Sequence, residues 1–81
     1  MNNEAEIRAF MEQLCRKFGI CDPLYDLEYF LHREYYEVDD LIREIFLAEG
    51  MNPELHLGLF RRVKREFIDR FGCSELYNPE N

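Results

Sequence analysis

The 81-residue chain is acidic, with a formal net charge of −7 and a sequence pI near 4.7. A molecule of that sign repels polyanions, which disfavours non-specific binding to nucleic acid or anionic lipid. A hydrophobic fraction of 47% and an aromatic fraction of 15% exclude a wholly disordered chain and support one small core.

Asn3 and Glu6 have the spacing of a capping box at the start of a first helix. Ile7, Phe10, Met11, Leu14, Cys15 and Phe18 then recur at helical spacing. Arg16 and Lys17 fall where the helix dipole favours cations, and Gly19 is a natural stop. The first helix is expected over 4–18.

Asp22-Pro23 pairs an N-cap with proline at the first helical position, so a second helix is expected over 23–37. At about 100° per residue, Leu24, Leu27, Leu31 and Tyr35 form one apolar stripe. Tyr25, Tyr29 and Tyr36, with His32 beside them, form a second stripe roughly opposite. A helix with a single core face needs only the first. The second is satisfied either by a central position in the bundle or by a partner.

Val38-Asp39-Asp40 marks a third helix over 39–49, with Asp39 as cap and Gly50 as stop. The aliphatic stripe of helix two stays in phase through Val38 into Ile42 and Ile45, so the two also read as one bent helix. Paired aspartates cap better than they propagate, which favours a break. Asn52-Pro53 opens a last helix over 53–71 that ends at Gly72, with Gly58 loosening its first turns.

The expectation is an all-α domain of four helices over residues 1–72, with residues 73–81 as a frayed tail. Its core draws on Phe10, Leu14, Phe18, Leu27, Leu31, Ile45, Phe60, Val63 and Phe67.

No motif specifies a chemistry. Cys15, Cys21 and Cys73 are odd in number, form no Cys-x-x-Cys pair and imply no disulfide framework, so reduced thiols in a cytoplasmic protein are expected. Their spacing to His32 and His56 matches no zinc pattern. The single serine, Ser74, has no triad signature around it, and no glycine loop cradles phosphate. Neither an enzyme nor a cofactor or metal site is expected. No apolar run approaches the roughly 18 residues of a spanning helix, and the charged amino terminus does not suit a signal peptide.

Two surfaces remain. Tyr25, Tyr29, His32 and Tyr36, with nearby acids, suit a protein–protein interface, because tyrosine is favoured at binding hot spots. The partner would be another protein or a second copy in a homodimer. Arg61, Arg62, Lys64 and Arg65 form a basic run within the last helix and are the alternative, as nucleic-acid contacts. Residues 1–60 carry thirteen acidic and five basic side chains, which weighs against DNA. Phosphate mimicry by Asp22, Asp26, Glu28, Glu34, Glu37, Asp39 and Asp40 is a further alternative, inhibiting a basic partner. The leading expectation is a small cytoplasmic interaction module or regulator acting through the aromatic face.

Overall fold

The computed structural model describes residues 3–32, 35–72 and 75–77, with side chains over 4–32 and 37–72. The chain is all-α by class. In order it forms α1 (Asn3–Phe18), α2 (Asp22–Tyr25), α3 (Leu27–Leu31), β1 (Tyr35–Glu37), α4 (Val38–Ala48), a 3₁₀ turn (Pro53–Leu55), α5 (Leu57–Phe71) and β2 (Glu75–Tyr77).

The first helix and the three glycine stops are as the sequence implies. Gly19, Gly50 and Gly72 have φ of 74°, 77° and 83°. At the end of α5, Gly72 is the left-handed cap, and its N–H donates to the Ile68 carbonyl at 2.7 Å. A side chain at that φ would crowd the following carbonyl, so glycine is the residue that ends the helix without strain.

Helix two is the main correction. It breaks at Asp26 (φ −112°, ψ 35°), whose N–H is taken by the carbonyls of Asp22 and Pro23. It ends at Leu31 rather than Glu37. Tyr35–Glu37 are extended and pair antiparallel with Glu75–Tyr77, Tyr35 opposite Tyr77 and Glu37 opposite Glu75. Aromatic residues suit a pleated ladder, and α4 packs against both strands. Two isolated strands would be marginal without such support. The ladder also restrains part of the expected frayed tail; residues 73, 74 and 78–81 lie outside the described residues.

The cap expectations meet a mixed outcome. The Asn52 side chain accepts from the Glu54 N–H at 2.9 Å, as expected. The helix it opens is one 3₁₀ turn, and His56 (φ −133°, ψ 48°) separates it from α5. Neither Asp22 nor Asp39 is a cap: each lies in the first turn of its helix, where the dipole favours its charge. Asn3 already lies within α1, and its side chain is outside the described residues.

The helices form a ring around the core. The α2–α3 pair packs against α1, α2 also meets α4, and α5 packs against both α1 and α4. The backbones of α2 and α3 do not approach that of α5, and α1 and α4 lie between them, so these elements stand on opposite flanks of the core. Ile7, Phe10, Met11 and Leu14 meet Leu27, Phe30, Leu41, Ile42, Ile45, Phe46, Val63 and Phe67 inside the ring. Phe10 presents its edge to Phe67 at 5.4 Å. Of the expected core, Phe18, Leu31 and Phe60 are only partly buried, whereas Ile20, Phe30 and Val38 are buried additions.

Cys15 and Cys21 are joined by a disulfide. It links the last turn of α1 to the residue preceding α2, across the turn closed by Gly19. This overturns the expectation of reduced thiols at Cys15 and Cys21; Cys73 lies outside the described residues. Disulfides persist in oxidising surroundings and are uncommon in the reducing cytosol, so the cytoplasmic expectation loses that premise. Among the described residues, no helix is long and apolar enough to cross a membrane.

Candidate functional site

The α2–α3 flank is placed by what it buries. Pro23, Leu27 and Phe30 turn inward, with Leu24 and Leu31 at the margins. The buried stripe is therefore centred on Leu27 and Phe30, one step away from the expected Leu24–Leu27–Leu31 line. Residues on the far side must face out. Tyr25 is 79% exposed, Tyr29 is 41% exposed, and His32 is exposed beside them. Burial of Tyr25 and Tyr29 in a central helix, the alternative to a partner, does not occur, because α2–α3 occupies one side of the ring.

Tyr36 does not share this helical face. It lies in β1, beyond the end of α3, and its side chain is outside the described residues. The four-residue stripe is thus reduced to Tyr25, Tyr29 and His32.

Carboxylates lie beside Tyr25 and Tyr29 in the chain. Asp26, at the break between α2 and α3, and Glu28 on α3 are exposed. The Tyr29 hydroxyl donates to Glu44 Oε2 at 3.1 Å, and its ring stands edge-on to Phe30 at 5.2 Å. Glu49 Oε1 accepts from the Asp22 N–H at 2.9 Å, which ties the start of α2 to the end of α4. Neither Glu44 nor Glu49 was singled out from sequence, since their approach depends on how α4 packs.

On the opposite flank, the four basic candidates separate. Lys64 pairs with Asp39 at 2.7 Å, and the Arg62 guanidinium lies 5.4 Å from the centroid of the Phe18 ring. Arg61 and Arg65 are exposed. Glu66 reaches α1, where Gln13 donates to it at 2.6 Å and Lys17 pairs with it. Arg70 reaches α1 as well, donating to Gln13 Oε1 at 2.8 Å. Lys17, Phe18, Arg61, Arg62, Arg65 and Glu66 line an open depression between the end of α1 and α5. The sequence reading missed the part played by Lys17 and Phe18, which lie more than forty positions away in the chain.

Among the described residues, no group of three or more His, Cys, Asp or Glu side chains is placed to hold a metal ion. No family model matches the chain, and neither a curated protein nor a solved structure is detectably similar to it.

Proposed function

We propose that this protein is a binding module without chemistry of its own, which recognises a basic segment of another protein chain through Tyr25, Tyr29 and His32. The exposure of Tyr25 and Tyr29 on one outer flank, among Asp26, Glu28 and Glu44, carries this reading. Tyrosine faces attract guanidinium and ammonium groups, and a tyrosine ring loses little freedom on contact. The carboxylates add steering of a cationic partner and disfavour an anionic one.

DNA contact through α5 has less support. Lys64 is engaged by Asp39 and Arg62 lies against Phe18, which leaves Arg61 and Arg65 as the cations of that run without such contacts among the described residues. Two such cations would neutralise few phosphates on a molecule of net charge −7.

Fluorescence anisotropy with a labelled Arg/Lys-rich peptide tests the reading. Binding to the wild type should weaken at least about tenfold in Tyr25→Ala/Tyr29→Ala, the cost of losing one or two aromatic hot spots. Circular dichroism of the variant should be unchanged, because both rings lie outside the core. Equal peptide affinity for both proteins would sink the proposal.

A further inference from the structure

The two unexplained surfaces are complementary to each other. On one flank, α2, α3 and the break between them carry Asp22, Asp26 and Glu28 and no Lys or Arg. On the opposite flank, α5 carries five cations against two carboxylates, and Lys17 of α1 adds a sixth cation beside it. The first flank presents exposed aromatic rings, and the second presents exposed guanidinium groups around a half-buried phenylalanine. Since α1 and α4 stand between α2–α3 and α5 on the surface, one molecule does not bring its own pair together.

We infer that the basic segment recognised by the tyrosine face is the α5 corner of a second copy, Lys17, Arg61, Arg62 and Arg65, docked head to tail. This rests on the binding reading above and names its partner. Arg61 and Arg65 of one copy meet Tyr25, Tyr29, Asp26 and Glu28 of the next, joining guanidinium to ring face and carboxylate. The contact is heterologous, because the patches it joins are different. A joined pair therefore keeps one unused face of each kind, one on each copy, and association continues into a ring or an open chain rather than stopping at a two-fold dimer. The net charge of −7 opposes assembly at long range, whereas the local complementarity acts within a Debye length. Higher salt screens both terms, and the close-range attraction is what assembly needs.

Sedimentation velocity on the full chain tests this without any substitution. The wild-type mass should rise with concentration to at least about twice that of one copy, and fall back as salt screens the contact. Arg61→Glu/Arg65→Glu and Asp26→Lys/Glu28→Lys change exposed positions only. Each variant alone should remain a single copy, and an equimolar mixture should associate again. A wild type that stays monomeric at low salt overturns the inference. So does an Arg61→Glu/Arg65→Glu variant that associates as the wild type does, since the tyrosine faces would then be pairing in another way. The Arg/Lys-rich peptide separates the two readings. If it binds a wild type that does not self-associate, the binding reading stands and the head-to-tail partner falls. If neither peptide binding nor association occurs, both fall.

Discussion

The hydroxyl of Tyr29 donates a 3.1 Å hydrogen bond to Glu44 Oε2, joining α3 to α4 at the surface. The same ring stands edge-on to Phe30, which is buried. One side of Tyr29 is thus held by the fold while the rest faces outward. A ring ordered before contact loses less entropy on binding than a free one, so Tyr29 is the anchored member of the aromatic face. Tyr25, at 79% exposure, is the outlying member.

Tyr29→Phe keeps the ring and removes the hydrogen bond. The group is partly exposed, so water replaces much of what is lost, and the expected destabilisation is about 0.5–1 kcal/mol. Urea denaturation should show a small fall in midpoint at constant slope. Peptide binding should survive, because the ring provides the contact; a loss as large as that of Tyr25→Ala/Tyr29→Ala would instead assign recognition to the hydroxyl.

The Cys15–Cys21 disulfide closes a short loop around Gly19 and Ile20. Closing so few residues restricts the unfolded chain by an amount worth about 2 kcal/mol. Cys15→Ser/Cys21→Ser should therefore lower stability by roughly that amount, and a reducing agent should lower the wild type to the same level. Thermal melts of both proteins with and without a thiol reductant make the comparison. An unchanged wild-type melt under reducing conditions, with mass spectrometry confirming free thiols, would count against a structural role.

Phe67 is the aromatic hub of the core, with Phe10 edge-on at 5.4 Å and Phe71 at 4.4 Å. Truncating a buried phenylalanine costs about 3–5 kcal/mol through lost transfer energy and the cavity left behind. A domain this small has a total stability of the same order as that loss. Phe67→Ala should lose cooperative unfolding or unfold at far lower denaturant, whereas Phe18→Ala, half-buried at the ring's edge, should remain folded. A Phe67→Ala midpoint close to that of the wild type would mean that the ring is not centred there.

The helix class and the glycine stops could be read from sequence because each rests on local chemistry. Gly19, Gly50 and Gly72 end their helices through backbone geometry that adjacent residues determine. The second helix could not be read that way. Its periodicity continues through Tyr35 and Tyr36, and only pairing with Glu75–Tyr77, some forty positions later, makes those residues extended. The disulfide was hidden for a similar reason: Cys15 and Cys21 meet only once the Gly19 turn folds back. For the candidate face, spacing set Tyr25, Tyr29 and His32 on the side of the helix away from the leucine stripe, and left open whether another helix covers that side. Glu44 joined them because α4 packs alongside, a tertiary fact absent from helical spacing.

Lys64 and Arg61 lie one turn apart on α5, yet they should respond differently to mutation. Lys64 makes a 2.7 Å ion pair with Asp39 in the first turn of α4, and both side chains are partly buried. Removing the cation leaves a carboxylate without that partner in a partly desolvated site. Lys64→Met should therefore cost about 1 kcal/mol, above the typical worth of a fully exposed pair. Much of that loss should persist in high salt, because a partly buried contact pair is screened less than an exposed one. Arg61 is exposed, and Arg61→Ala should change stability by no more than about 0.5 kcal/mol. Denaturation of the two variants at low and high salt separates these cases. Equal stability losses would place Arg61 in the fold's own ion pairing, and remove it from the set of residues available to a partner.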